Sequence, residues 1–220
     1  MTRLVLIRHG ESKTTVARVI GGHRTCTGLS PLGRQQAERL RDRWLISGEI
    51  KADVLICSQY ARARETAEIL APALGGLDVV EDAGFGEHDP GPDCDGMAFD
   101  EYVERFGGGW WEGDPFGPAF PGGETIAAFQ FRIGQAIRRT IDAYADQTVV
   151  VACHGGVIDS ALRLALKSPG TGGFEIRTFN TSITELQLVK DNLWRLLRYN
   201  DVGHLVGLPT ETTPVPVSED

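Results

Sequence analysis

Leu4-Val5-Leu6-Ile7-Arg8-His9-Gly10-Glu11 decides the fold. An unbroken apolar run of β-forming residues, rather than an alternating one, predicts a strand buried on both faces, as in parallel sheets. The glycine after His9 ends the strand in a turn, so Arg8 and His9 fall at the carboxyl edge of the sheet, where open α/β sheets bind ligands. Side by side, a guanidinium and an imidazole suit phosphate chemistry: the ring nitrogen attacks phosphorus while the cation holds the oxygens.

The same grammar recurs in Val149-Val150-Val151-Ala152-Cys153-His154-Gly155-Gly156. Two strand-His-Gly corners in one parallel sheet bring His9 and His154 to one edge. Either histidine alone reads equally well as a buried structural residue; two in matching contexts do not. Further strands are predicted over Asp53–Ser58, Leu77–Glu81, Ile183–Val189 and Trp194–Asn200, the last two forming a hairpin turning at Asp191-Asn192. Helices are predicted from Pro31 to about Ile46 behind a Ser30 cap, from Ala61 to Leu74, from Gly123 to about Asp146, and from Gly155 to about Leu166. Alternating strands and helices predict an α/β three-layer sandwich: a mostly parallel sheet with helices on both faces and an antiparallel edge strand.

The 220 residues suffice for one sizeable core, expected over residues 1–207 as a single domain. Residues 84–123 form an inserted loop rich in Gly, Pro, Asp and aromatics, either functional or loosely ordered. Residues 208–220 read as a disordered tail. The net charge of −8 argues against a nucleic-acid or anionic-membrane partner. No leader pattern or apolar membrane span is seen, and four scattered cysteines point to a reducing, cytoplasmic setting. His23, His88 and His204 make no metal-ligand set with carboxylates, and no cofactor is expected.

Other candidates surround the two histidines. Ser58-Gln59-Tyr60-Ala61-Arg62-Ala63-Arg64 places Arg62 in the first turn of a helix, with Arg64 the rival anion ligand. Phe85-Gly86-Glu87-His88-Asp89-Pro90-Gly91 supplies a carboxyl group in a loop, where a neighbouring phosphate favours a proton on it; Glu81 competes.

These stretches, together with Leu29-Ser30-Pro31-Leu32-Gly33-Arg34-Gln35-Gln36-Ala37, Pro121-Gly122-Gly123-Glu124-Thr125 and Asn180-Thr181-Ser182-Ile183, resemble the histidine phosphatase superfamily, also called phosphoglycerate-mutase-like, over nearly the whole ordered chain. The resemblance implies that His9 is the nucleophile, that Arg8, Arg62 and His154 clamp the phosphoryl oxygens, and that Glu87 rather than Glu81 is the acid. Two guanidiniums and an imidazolium fixed in advance would stabilise the charge of a phosphoryl group in transit. Thr15 stands where many relatives have asparagine, and Gly21 and Gly22 where relatives carry glutamine or threonine; these three, with Gly155, are the expected substrate-binding positions.

Three functions compete: a phosphomonoester phosphatase, a 2,3-bisphosphoglycerate-dependent phosphoglycerate mutase, and a non-catalytic phospho-ligand binder. The mutases hold a second anionic group with cations on the inserted loop. From His88 to Gly123 this chain has one cation, Arg105, against eight acidic residues. That balance favours a phosphatase whose partner is a small-molecule phosphomonoester. Aromatics such as Phe99, Tyr102, Phe106, Trp110, Trp111, Phe116 and Phe120 either pack the loop or line a pocket for an apolar or sugar-like leaving group. A homodimer is left open.

Overall fold

The computed structural model describes residues 1–107, 114–171, 174–190 and 193–210. Its elements run β1 (Arg3–Arg8), α1 (Lys13–Val16), α2 (Pro31–Ser47), β2 (Val54–Cys57), α3 (Ala61–Leu70), β3 (Val79–Glu81), α4 (Gly91–Cys94), α5 (Phe99–Phe106), α6 (Ile126–Ala143), β4 (Thr148–Cys153), α7 (Gly155–Leu166), β5 (Ile183–Lys190) and β6 (Leu193–Asp201). The strands form one six-stranded sheet in the order β3-β2-β4-β1-β5-β6. β3, β2, β4 and β1 are mutually parallel, while β5 pairs antiparallel with both β1 and β6.

Both faces of the central strands are apolar, as the unbroken hydrophobic runs predicted. Leu4 and Leu6 of β1 join Val149, Val151 and Cys153 of β4 under α6 and α7. Val5 and Ile7 join Val150 and Ala152 under α2 and α3. A strand with two apolar faces has no pattern by which to choose its register. Polar contacts at the strand ends select it instead: the Arg3 amide donates to Gln147 O and the His9 amide to Cys153 O, both at 2.9 Å. Arg3 also pairs with the buried Glu185 of β5. In this register Arg8 faces Cys153, so His9 and His154 leave the sheet side by side.

α2 begins as expected, with Ser30 Oγ accepting from the Gly33 amide at 3.0 Å, and ends at Gly48, left-handed at φ 59°. Gly10 and Gly33 let the loop after β1 rest directly on this helix. A Cβ on Gly33 would lie 2.0 Å from Glu11 O, and one on Gly10 would lie 2.3 Å from Gly33 O. α3 stops four residues short of the predicted Leu74, and Ala71–Leu74 form a 3-10 turn. Pro72 has no N–H for the α-helical ladder and its ring crowds the preceding turn.

The inserted loop is partly helical, with α4 and α5 lying within it. Cys94, Tyr102 and Phe120 build a small core of their own with Ile20, Met97 and Ala119. Backbone bonds join it to the segment after α1: Ile20 N to Met97 O at 2.9 Å, Gly96 N to Ile20 O at 2.8 Å and Phe99 N to Arg18 O at 2.9 Å. Tyr102 and Phe120 thus pack the loop, while Phe99, Phe106 and Phe116 are exposed. Trp110, Trp111, the Asp191-Asn192 turn and residues 211–220 of the tail lie outside the described residues. Pro209 O accepts from buried Gln36 Nε2 at 2.9 Å. Among the described residues no helix is long and apolar enough to cross a membrane.

Two glycine substitutions test this packing. Gly33→Ala is expected to lose about 2–3 kcal/mol in urea unfolding, since neither backbone can yield. Gly134→Ala, within α6 and meeting only Leu164 at 3.6 Å, is expected to gain about 0.5–1 kcal/mol. A neutral Gly33→Ala would refute the direct backbone contact.

Candidate active site

The site lies at the carboxyl edge of β1 and β4, over a cavity of ≈ 250 Å³. His9 and His154 are both buried, with ring centroids 5.0 Å apart. Their hydrogen bonds identify the tautomers. His9 Nδ1 lies 2.6 Å from Gly10 O, and a carbonyl only accepts, so Nδ1 carries the proton. His9 Nε2 is therefore a bare lone pair, and it accepts from Arg62 Nε at 3.1 Å. The same Arg62 N–H reaches His154 Nδ1 at 3.3 Å. His154 Nε2 then donates to Ser58 Oγ at 2.7 Å. Ser58, just after β2, thus accepts the proton that Arg62 forces onto His154 Nε2, a contact with no cue in the chain beyond its place in the Arg62 stretch.

Electrostatics holds both rings neutral. Burial lowers the pKa of His9 well below the ordinary value, and the Arg62 and Arg8 charges lower it further against the opposing Gly10 carbonyl. His154 is lowered likewise, first by burial and then by Arg62 and His9. The imidazolium expected at His154 is therefore not preformed. It would require a phosphate, whose negative charge beside Nδ1 offsets the guanidiniums.

Arg62 is itself tightly placed. Its Nη1 donates to Gly21 O at 3.1 Å, and its Cζ lies 4.5 Å from the Tyr60 ring centre. Arg8 lines the cavity and donates to Thr178 O. Behind it, the Thr181 amide donates to Arg8 O and Asn180 Nδ2 to His9 O, both at 2.8 Å. Thr181 adopts a left-handed φ of 55°, a conformation costly for a β-branched residue and held here by the loop packed against the two reacting residues.

Glu87 faces this group across the cavity. Its oxygens accept from the His88 amide at 3.0 Å and, in the first turn of α7, the Gly156 amide at 3.2 Å. The two rivals read from the sequence, Arg64 and Glu81, are exposed and pair with each other. Of the expected substrate-binding residues, Thr15 and Gly21 line the cavity; Gly22 and Gly155 do not. The buried Gly22 directs its amide to Asp95 Oδ1 at 3.0 Å. Ser12, Thr14, Val19, Ile20, His88, Pro90 and Gly156 also line it and were not singled out beforehand for binding, while Phe120, one of the aromatics expected either to pack the loop or to line a pocket, does both. A second cavity, of ≈ 240 Å³, is lined mainly by apolar residues such as Leu4, Ile137, Leu186 and Trp194, with Arg138 and Lys167 and without a histidine or carboxylate among its described lining residues.

The depressed histidines carry a pH signature. Below the unfolded pKa of about 6.5 the unfolded chain binds protons that the folded chain refuses. Stability should be flat above pH 7 and fall between about pH 6.5 and 4.5, with a slope of up to ~1.4 kcal/mol per pH unit per histidine. Buried His88 and His204, the latter lowered to about 4 chiefly by burial, add to the same window. Denaturant midpoints at pH 5 and pH 7.5 measure the effect, and His154→Gln should shrink it. A midpoint independent of pH in this window would contradict neutral, buried histidines.

Comparison with known proteins agrees with this geometry. The family model described as "Histidine phosphatase superfamily (branch 1)" matches residues 4–202. Phosphoglycerate mutase-like protein 4 of Arabidopsis thaliana is 32% identical over 209 residues, 92% of this chain and 86% of that protein. The structure of Bacillus stearothermophilus YhfR superposes with a TM-score of 0.80 at 28% identity, covering 93% of this chain and 99% of the other. A histidine-to-alanine mutant of Entamoeba histolytica phosphoserine phosphatase, solved with phosphoserine, superposes with a TM-score of 0.75 at 26% identity, covering 93% and 100%. Two strand-His-Gly corners sharing one arginine, matched along nearly the whole chain, place this protein in the histidine phosphatase superfamily, branch 1.

Proposed function

We propose that the protein is a phosphomonoester phosphatase acting through a phosphohistidine at His9. The observation that supports this most is the bare Nε2 of His9, held beside Arg62 in a cavity that Arg8 and Glu87 also line. In the first step Nε2 attacks phosphorus and the bond to the leaving oxygen breaks. Its electrons go to that oxygen, which takes a proton from Glu87. In the second step water attacks phosphorus and gives a proton to Glu87, and the P–N electrons return to Nε2. Covalent transfer replaces one hard hydrolysis with two easier steps. Arg8 and Arg62 meet the charge spread over the equatorial oxygens, and His154 joins them once protonated. These groups supply the charge that a metal would otherwise bring.

The rest of the cavity supports hydrolysis over mutase chemistry. Among the described residues, Arg8 and Arg62 are the only Lys or Arg side chains lining it. Arg105 pairs with Glu101 on α5, Arg18 pairs with Asp100, and Arg24 is bonded to Pro92 O and Asp95 O. None of these cations is directed at a second anionic group of the substrate. The leaving group instead meets Val19, Ile20, Pro90 and Phe120, with the Ser12, Thr14 and Thr15 hydroxyls nearby. An uncharged alcohol, apolar or sugar-like, fits that lining. The phosphoserine phosphatase of Entamoeba histolytica supports the reaction class. The partner is then a small phosphomonoester, not nucleic acid or membrane, and four buried free cysteines fit a cytoplasmic setting.

Phosphate release from a panel of monoesters, in chelator, tests the proposal, with mutase activity assayed in parallel. Turnover is expected, abolished in His9→Ala and reduced about 10²- to 10³-fold in Arg62→Ala, as when an oxyanion donor is lost. Glu87→Gln should slow alkyl phosphates far more than p-nitrophenyl phosphate, whose leaving group needs little protonation. Phosphoglycerate isomerisation without release would favour the mutase; phosphate binding without phosphohistidine would favour the binder.

A further inference from the structure

The loop that carries Glu87 has no ladder of its own. From Gly86 to Pro90 it is neither helix nor strand. Its carbonyls still require donors, and one side chain supplies two of them. Arg132, in the second turn of α6, donates from Nη1 to Gly84 O at 3.1 Å and Gly86 O at 3.0 Å, and from Nη2 to Glu87 O at 3.3 Å. Glu124 orients the guanidinium as a fork, accepting from Nε at 3.0 Å and from Nη2 at 2.7 Å. Glu124 also holds the far side of the loop, its amide donating to Asp89 O at 2.9 Å. The acid is thus bracketed by the two members of one ion pair. Neither Arg132 nor Glu124 lines the cavity. The same helix face carries Phe129, 5.1 Å beneath the Arg132 guanidinium and packed under Gly156, whose amide Glu87 accepts.

We propose that Arg132 and Glu124 are positioning residues for the general acid: they fix the backbone of Glu87 so that its carboxyl meets the leaving oxygen. This rests on Glu87 being that acid. Neither residue touches substrate, so phosphoryl transfer to His9 is expected to survive their loss when no proton is needed. Displacement of a catalytic group by about 1 Å costs on the order of 10²-fold. A lysine has no fork with which to gather several carbonyls and grip Glu124 at once.

The test compares Arg132→Gln, Arg132→Lys and Glu124→Gln with Glu87→Gln, using an alkyl phosphate and p-nitrophenyl phosphate. For each of the three clamp variants kcat/KM is expected to fall about 10- to 100-fold on the alkyl ester and less than about threefold on the aryl ester, with the phosphohistidine burst intact. Arg132→Lys should not restore the alkyl rate. Placed in the Glu87→Gln background, Arg132→Gln should add no further leaving-group discrimination, because the acid it positions is gone. Equal losses on both esters, or additive losses in the double variant, would overturn the positioning role and leave Arg132 a structural brace. If Arg132→Gln does not fold, Glu124→Gln, which keeps the acceptor and removes the charge, decides by the same criteria. Glu87→Gln without discrimination would instead sink the acid assignment itself. Discrimination by Glu87→Gln but by no clamp variant would sink only the clamp.

Discussion

One N–H holds the site together. Arg62 Nε points between His9 Nε2 and His154 Nδ1, at 3.1 and 3.3 Å. A guanidinium donates and never accepts, so both ring nitrogens must present lone pairs to it. The remaining protons then have to sit on His9 Nδ1 and His154 Nε2, and each needs an acceptor. Gly10 O and Ser58 Oγ provide them. Remove the arginine and His9 keeps its tautomer through Gly10 O, but His154 loses the donor that keeps its Nδ1 bare, because the Ser58 hydroxyl can donate as well as accept. Burial first and then this cation lower both histidine pKa values, so the nucleophile is neutral while the guanidinium charge complementary to phosphate is already fixed before a substrate arrives.

The sheet makes that contact geometrically necessary. Parallel pairing of β1 with β4 delivers the two histidines at neighbouring positions, and β2 delivers Ser58 beside them. The turn into α3 then brings Arg62 over both rings, braced by Gly21 O and the Tyr60 face. On the opposite side, Asn180 and Thr181 lock the Arg8-His9 backbone. The acid comes from a stretch, residues 86–90, that is neither helix nor strand, and Arg132 gathers carbonyls along it. A loop can carry a catalytic group with strand-like precision when its carbonyls are gathered by a half-buried, ion-paired fork.

Much of this was legible in the chain because the strongest signals are local. An apolar run ending in His-Gly marks a sheet edge, and it occurs twice; Ser30-Pro31 marks a helix start, and a start was found there. The rivalry between Arg62 and Arg64, and between Glu87 and Glu81, was not legible from the residues themselves, and only the family resemblance favoured Arg62 and Glu87, because helical phase and loop path decide which face a side chain takes. In the structure Arg64 and Glu81 pair with each other at the edge of the sheet, and neither lines the cavity. Ser58, Arg132 and Glu124 depend on contacts between residues 96, 45 and 8 positions apart. No periodicity reports such contacts. The helices α4 and α5 escaped notice because Gly and Pro dominate their surroundings, and their small core needs Ile20 from far upstream. The charge on His154 was read from its role in the reaction, whereas burial and the neighbouring guanidiniums hold its ring neutral.

The tautomers carry the account, and nitrogen-15 NMR of the histidine rings reads them directly. At neutral pH, without phosphate, the spectrum should show His9 protonated at Nδ1 with Nε2 bare, and His154 protonated at Nε2 with Nδ1 bare. On adding phosphate, His154 Nδ1 should gain a proton while His9 keeps its tautomer. A His9 ring protonated at Nε2, or an imidazolium at either position before phosphate is added, would contradict the arrangement around Arg62 on which the proposed chemistry depends.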